Sequence, residues 1–239
     1  TTGDTLCAPD KVITLEKMSH DVMVIKLQLP ANDTFRYHAG QYVEFLLRDG
    51  ARRSYSMANA PNEEGVIEWH VRRVEGGRFP THAYDKLKVG AMLRIEGPYG
   101  DFVLRAGDAP VVLLASGTGY APIAALLKAH GAELARRGAV LYWGGRVWAD
   151  LYAVDSVAAW EAQYPGVRIV PVLSEPEAGW TGRSGFVHAA VLADLPDLSQ
   201  HEVYACGNPL MIDAARNSFT AEAGLPAEHF FADAFVVNH

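Results

Sequence analysis

Between residues 110 and 122 the chain runs from an unbroken apolar stretch, Pro110-Val111-Val112-Leu113-Leu114-Ala115, into Gly117-Thr118-Gly119 and then Pro122. An apolar run without alternation is what a strand covered on both faces requires, and parallel sheets meet that condition. Glycines directly after such a strand permit a tight turn, and Pro122 suits the first turn of a helix. Ile123, Leu126, Leu127, His130 and Leu134 follow helical spacing as far as Arg137, and Gly138 is placed to cap the end. The same alternation continues downstream. Strands are predicted at Val140 to Trp143, Val167 to Leu173 and Glu202 to Cys206, and helices at Val154 to Gln163, Phe186 to Ala193 and Pro209 to Ala223. Alternating β and α elements predict a doubly wound parallel α/β domain.

The first half reads differently. Val22 to Leu29, Tyr42 to Leu47 and Val66 to Val74 are β-rich and partly alternating. Pro30, Gly40, Asp49-Gly50, Pro61-Asn62 and Gly76-Gly77 punctuate them. Short strands with turn signals between them predict an antiparallel barrel or sandwich. The change of pattern near Gly107-Asp108 places the boundary between Leu104 and Ala109, giving domains 1–106 and 107–239.

Composition removes several classes of function. A net charge of −7 argues against a general nucleic-acid binder, which needs clustered Lys and Arg. The longest apolar run, Ala109 to Ala115, falls far short of the roughly 20 residues of a membrane span. No charged start followed by an apolar stretch marks a secretory signal, so the expected location is cytoplasmic, away from membranes. Cys7 and Cys206 form neither a disulfide framework nor a zinc or iron–sulfur pattern, and the histidines are scattered, so no metal site is expected. The chain starts at Thr1, which fits either removal of a preceding Met or an excised piece.

Two clusters carry chemistry. Arg53-Ser54-Tyr55-Ser56 brings together a cation, an aromatic face and serine hydroxyls. On a strand Arg53 and Tyr55 share a face. Arg can pair with phosphate in a bidentate fork and Tyr can pack on a flat ring, which are the needs of a flavin nucleotide. Ser56 falls on the opposite face unless the strand end bends it inward. The same residues also describe an ordinary strand with a salt-bridged Arg and a half-buried Tyr. In the second cluster, Gly117 to Pro122, the glycines let backbone approach a pyrophosphate at a helix start, where the dipole favours that charge. Pro122 stands where the dinucleotide fingerprint has its third glycine. Ser116 and Thr118 add hydroxyls.

A flavin-type cluster followed by a nucleotide-type turn resembles the ferredoxin–NADP reductase superfamily, in its oxygenase-reductase branch. Further stretches carry the resemblance from about Lys11 onward. Gly40-Gln41-Tyr42 precedes the flavin motif at the usual family distance, and Ser54 to Asn59 resembles the extended motif. His70-Val71-Arg72-Arg73-Val74 resembles the strand that lines the flavin ring. Gly76-Gly77-Arg78-Phe79-Pro80-Thr81 resembles the turn into a helix beneath the flavin pyrophosphate, with Thr81 as cap and Pro80 as a departure from the usual residue types. Glu96 to Gly100 resembles the turn that closes the barrel. Gly117 to Pro122 matches the family's Gly-Thr-Gly, Ala-Pro variant. Cys206-Gly207-Asn208-Pro209 resembles the Cys-Gly-x-Pro element that sets a thiol beside the nicotinamide, although a small buried Cys at a strand end reads the same way. Phe231 to Phe235 resembles the C-terminal segment that approaches the flavin, with Phe235 as its aromatic and Asp233 as its acid. Both also suit plain core and cap positions.

The resemblance implies an N-terminal antiparallel β-barrel holding FAD and a C-terminal α/β domain holding NAD(P)H. It implies hydride transfer to the flavin, a monomer, and a protein electron acceptor such as an oxygenase or a ferredoxin-type domain. Ser56, Cys206 and Asp233 become the candidate catalytic residues. Arg53, Ser54, Tyr55, Ser56, His70, Val71, Arg72, Gly76, Gly77, Arg78, Phe79 and Thr81 are candidates for FAD. Gly117, Thr118, Gly119, Pro122, Arg146, Glu175, Cys206, Gly207 and Phe235 are candidates for the nucleotide and its approach to the flavin. Arg146, after the second strand of this half, either holds a ribose 2′-phosphate or is a solvated charge. Glu175, after the third, would repel that phosphate and accept ribose hydroxyls, so NADH is expected over NADPH. Asp150 reads as a cap or brace. Gly3 to Cys7 resembles the tail of an iron–sulfur domain. Two other outcomes stay open: a flavin reductase that releases reduced flavin, and a non-catalytic electron-transfer or sensor module.

Overall fold

The computed structural model describes residues 4–31, 35–62, 64–73, 83 and 85–235, and for residues 4–10 the backbone alone. It divides into two compact units, one built on Thr1–Leu104 and Ala124–Ala129, the other on Arg105–Ile123 and His130–Asn238.

The first unit is a six-stranded antiparallel sheet in the order β4-β3-β6-β1-β2-β5. Its strands are β1 (Asp4–Lys17), β2 (Val22–Gln28), β3 (Tyr42–Leu46), β4 (Arg52–Ser56), β5 (Val66–Arg72) and β6 (Met92–Tyr99). Alternation along β5 sends Ile67, Trp69 and Val71 inward, each no more than 1% exposed. They meet Ile25, Leu27, Phe45, Met57 and Ile95 in one apolar cluster. A bridge from Met57 to Trp69 joins the end of β4 to β5, the two edge strands, and closes the sheet into a barrel. Closure removes the exposed edges on which other chains pair. The expected turn at Glu96 to Gly100 lies largely inside β6. That strand is paired with β1 on one side and β3 on the other, and pairing on both sides outweighs the Gly-Pro turn signal.

The second unit is a six-stranded sheet in the order β10-β9-β8-β7-β11-β12, with every pairing parallel. Its strands are β7 (Val111–Ser116), β8 (Val140–Gly145), β9 (Arg168–Leu173), β10 (Arg183–Ser184), β11 (Glu202–Gly207) and β12 (Phe230–Ala234). The helices of this half of the chain are α1 (Tyr120–Arg137), whose residues Ala124–Ala129 group with the first unit, α2 (Val154–Gln163), α3 (Val187–Asp194) and α4 (Pro209–Glu222). The predicted helices and strands of this half all form, with ends shifted by a residue or two, and left-handed Gly138 caps α1. The short edge strands β10 and β12 were not predicted. The chain moves outward from β7 through β8 and β9, then returns to β11 on the other side of β7. That reversal creates a crevice at the carboxyl ends of β7 and β11, where open α/β sheets bind their ligands. The fold class is the expected one: an antiparallel barrel followed by a doubly wound parallel sheet. Among the described residues no helix is long and apolar enough to cross a membrane.

Candidate functional site

In the barrel, β4 runs antiparallel to β3, with Arg53 opposite Phe45, Tyr55 opposite Val43 and Ser56 opposite Tyr42. Tyr55 meets the buried Phe45 ring edge-on at 5.4 Å, and Phe45 meets Trp69 at 4.9 Å. The tyrosine ring is therefore supported from the core. Burial pushes its phenol above the usual range while the nearby Arg53 charge pulls the other way. The two adjacent arginines differ sharply. Arg52 lies 2.8 Å from Glu44 and 3.0 Å from Glu96, so its charge is compensated. Arg53 donates to the Arg52 carbonyl at 2.7 Å and has no carboxylate partner among the described residues. A cation left unpaired beside a supported aromatic face fits an anionic, flat cofactor of the flavin type.

The rest of the barrel set divides. Ser54 is exposed and Ser56 is buried. His70 is buried and its Nε2 lies 3.0 Å from Glu68 Oε1. Burial lowers the His70 pKa, so the ring stays neutral. Burial alone would raise Glu68, but the hydrogen bond with His70 and the charges of Lys128 and Lys26 hold it at about 2. Val71 points into the core, which leaves only its backbone for a ligand. Arg72 is tied to Asp21 at 2.6 Å and brings a compensated charge. Gly76, Gly77, Arg78, Phe79 and Thr81 lie outside the described residues, as does Pro80.

In the second unit the reversal brings the two glycine motifs together. A Cβ on Gly119 would lie 2.1 Å from the Cys206 carbonyl oxygen, and one on Gly207 would lie 2.3 Å from Ser116 Oγ. Each turn thus needs glycine because the other turn's backbone occupies the space. The Asn208 amide donates to Ser116 Oγ at 2.9 Å, and Asn208 Oδ1 caps α4 by accepting from the Leu210 amide at 2.9 Å. The Trp143 indole donates to the Gly117 carbonyl at 3.0 Å while its ring stacks on Tyr120 at 4.3 Å. These side chains brace the turn, and nothing in the type of a lone Trp or Tyr marks such a contact in the sequence. Pro122 stands in the first turn of α1, as predicted. Cys206 is fully buried opposite Ala115 and Asp233. Burial and the Asp233 charge both push its thiol up, so it is no thiolate nucleophile. The Phe235 amide donates to the Gly207 carbonyl at 2.8 Å, which fixes the C-terminal segment against the same turn.

Arg146 and Glu175 were expected on separate strand ends. The structure makes them neighbours: the Glu175 amide donates to the Arg146 carbonyl at 2.8 Å, and the Ser174 amide to Gly145 at 3.0 Å. Parallel pairing of β8 with β9 brings the two loops side by side. Asp150 is buried and braces this loop, accepting from the Arg146 amide at 2.9 Å and lying 3.5 Å from its guanidinium. A backbone cradle at the reversal, flanked by an arginine and a carboxylate, fits a pyrophosphate-linked dinucleotide.

The family model described as an oxidoreductase FAD-binding domain matches residues 9–104, and one described as an oxidoreductase NAD-binding domain matches residues 113–217. The chain is 43% identical over 228 residues to the CDP-6-deoxy-L-threo-D-glycero-4-hexulose-3-dehydrase reductase of Yersinia pestis, covering 95% of this chain and 68% of that one. The chain belongs to the ferredoxin–NADP reductase superfamily. This reductase is 35% identical to terephthalate 1,2-dioxygenase reductase component 2 of Comamonas sp, across 94% of its own length and 67% of the relative's. Its structure matches the Amycolatopsis cytochrome P450 reductase GcoB with a TM-score of 0.85 at 33% identity, covering 95% of this chain and 69% of that one. It is thus a flavoprotein oxidoreductase that takes electrons from NAD(P)H through FAD.

Proposed function

We propose that this reductase draws electrons from NADH in preference to NADPH and passes them through FAD to a protein acceptor of the oxygenase or iron–sulfur class. The observation that carries the reading is the uncompensated Arg53 beside the core-supported Tyr55, a site suited to keeping its flavin. A retained flavin belongs to a reductase that serves a protein partner. A releasing flavin reductase needs a weaker hold. The names of the Yersinia and Comamonas relatives point the same way, since each is named as the reductase of another enzyme, a dehydrase in one case and a dioxygenase in the other.

The residues divide the work. Arg53 neutralises phosphate, Tyr55 packs on the ring, and Ser56 and His70 address its edge. Gly76, Gly77, Arg78, Phe79 and Thr81 are assigned to the flavin pyrophosphate. FAD, when bound, converts the two-electron chemistry of a hydride into single-electron transfer. Gly117, Thr118, Gly119 and Gly207 let backbone reach the nucleotide pyrophosphate. Cys206, as a neutral thiol, and Asp233 are assigned to the nicotinamide side, with Phe235 at the flavin face. Glu175 accepts ribose hydroxyls beside Arg146, and a carboxylate there disfavours a 2′-phosphate. The proposal carries with it a boundary between domains 1–106 and 107–239, a monomer, and a cytoplasmic location.

Purification, exhaustive dialysis and anaerobic titration with NADH test the reading. FAD absorbance should survive dialysis and bleach with one equivalent of NADH. Loss of FAD on dialysis would favour the flavin-releasing alternative. Retained FAD that NADH never bleaches would leave a non-catalytic module.

A further inference from the structure

We propose that the outward face of the barrel where β1 meets the start of β6 is a docking surface for an acidic protein. Its occupant is a partner face with an apolar centre and a rim of Asp and Glu side chains.

Ile13 is 40% exposed, Val89 64% and Met92 67%. The other large apolar side chains exposed among the described residues, Trp148, Phe186 and Leu210, all belong to the second unit. The exposed apolar side chains of the barrel are therefore gathered in one place. Lys11 stands opposite Met92 across β1 and β6. Val12 and Ile95 are at most 1% exposed, so alternation turns Lys11, Met92 and Arg94 outward. The turn that carries Val89 is pinned to β1. The Gly90 amide donates to the Val12 carbonyl at 2.8 Å, and the Val12 amide donates to the Ala91 carbonyl at 2.9 Å. The Ala91 amide closes the turn on the Lys88 carbonyl at 3.0 Å, with Gly90 at a φ of 82–90° as such a turn requires, 86° in this chain. The face is thus held in shape before any partner arrives, which lowers the cost of ordering it on binding.

Charge selects the occupant. Lys11, Lys88 and Arg94 surround the apolar group, all exposed, and none has a carboxylate partner among the described residues. Other barrel cations are compensated: Arg52 lies 2.8 Å from Glu44, Arg72 2.6 Å from Asp21 and Lys26 3.6 Å from Glu68. The acids close by in sequence are already engaged, Asp85 with Arg73 at 3.9 Å and Glu96 with Arg52 at 3.0 Å. In a chain of net charge −7, unpaired cations around exposed apolar surface are the complement of an acidic, apolar-centred face. A second copy meeting the same face would set one basic rim against another, and like charges oppose that pairing. The place in the barrel separates this surface from the flavin. Ser56 lies opposite Tyr42, and Tyr42 lies opposite Tyr99. Met92 is at the other end of β6 from Tyr99, about 23 Å away at the usual rise of a strand. A partner docked here leaves the end of the barrel that holds Ser56 uncovered.

Amide NMR spectra of the FAD-loaded reductase at low salt, titrated with three short synthetic peptides, test the surface. A peptide of alternating Glu and Leu should shift the amides of Lys11 to Ile13 and of Lys88 to Arg94. A peptide of alternating Glu and Ser, with the same charge and no apolar face, should bind roughly fivefold more weakly or worse. A peptide of alternating Lys and Leu should leave these amides unmoved. Lys88→Glu combined with Arg94→Glu should weaken the Glu-Leu peptide about tenfold, and Met92→Ser about fivefold, with FAD content and melting temperature as in the parent. Absence of shifts at these amides overturns the proposal, and so does undiminished binding in both variants. Equal affinity for the Glu-Leu and Glu-Ser peptides would reduce the face to unspecific charge and overturn it too. Sedimentation of the parent as a dimer that Met92→Ser dissociates would give the face to a second copy instead. Binding to phosphatidylserine vesicles that Met92→Ser abolishes would give it to a lipid surface.

Discussion

On the assignment proposed above, the barrel and the parallel sheet face the same task, holding a long anionic molecule with a flat ring, and they would solve it by opposite means. The barrel uses side chains: Arg53 keeps its charge unspent while its neighbour Arg52 is tied to Glu44 and Glu96, and Tyr55 leans on Phe45. The sheet uses the absence of side chains. Gly119 fits against the Cys206 carbonyl and Gly207 against Ser116, so the two turns pack directly on each other. A site of the first kind tolerates change around it and fails when a functional group is removed. A site of the second kind fails when anything is added.

The largest expected effect follows from that rule. Gly119→Ala would place a methyl group 2.1 Å from a backbone oxygen with no flexible side chain to yield. We expect a loss of about 3 kcal/mol or more in stability, read by denaturant unfolding, together with failure of NADH to bleach the flavin. A stable, active Gly119→Ala would end the distinction between the halves.

Acid should strike the halves unequally. Glu68 is held at about 2 against about 4.5 for a free glutamate, so the unfolded chain binds the extra proton first as the pH falls. Its contribution is complete above about pH 5 and is lost as pH approaches 2, up to about 3 kcal/mol. His70, lowered by burial, acts in the same direction from about pH 6.5 downward, because the unfolded state protonates while the folded state resists. In the second unit the described carboxylates held low, Glu133 and Asp197, are surface groups. Hydrogen exchange on an acid series should therefore show the barrel loosening first, and Glu68→Gln should flatten the steep part of its profile. Simultaneous loosening of both halves would contradict this.

The paired arginines sharpen the comparison within the barrel. Arg53→Ala should weaken FAD binding roughly ten- to a hundredfold, the worth of a charge-assisted contact of about 1.5–3 kcal/mol. Arg52→Ala should keep FAD and lose little stability, as exposed ion pairs do. Equilibrium dialysis on both variants reads the difference, and equal FAD affinities would remove Arg53 from the site.

The smallest effect concerns coenzyme choice. Glu175→Arg should narrow the preference for NADH by several-fold, since an exposed charge near a phosphate is worth about 1 kcal/mol or less. The ratio of kcat/KM for NADH and NADPH measures it. A parent protein that prefers NADPH would make Arg146 the deciding residue.

Much of this was readable in the chain, for particular reasons. Val111 to Ser116 could be placed because a strand buried on both faces leaves an apolar run, and Gly117 to Pro122 because a turn without side chains announces itself in glycine. Arg53 and Tyr55 were readable as types, but the choice of Arg53 over Arg52 becomes a physical statement only once Glu44 and Glu96 are seen on the other face. β6 was hidden because Gly97-Pro98 reads as a turn and only pairing on both sides makes it a strand. β12 was hidden because an edge strand gains its identity from its neighbour β11. The adjacency of Arg146 and Glu175 depends on the register of parallel strands joined through a helix. Local pattern carries no such information.

The mutual fit of Gly119 with Cys206 and of Gly207 with Ser116 bears on how the protein is made. The two turns are far apart in the chain, and each packs against atoms of the other. As the chain emerges from the ribosome, β7 and α1 come out long before β11, so nothing can bind a coenzyme there until the later strand has docked beside the first. Contacts of such wide sequence separation form slowly, because loop closure must precede them. The barrel, whose strands all precede β7, faces no such wait. During synthesis the flavin half can be complete while the coenzyme half is still an open sheet with a bare apolar edge, and that interval is when this chain is most exposed to aggregation.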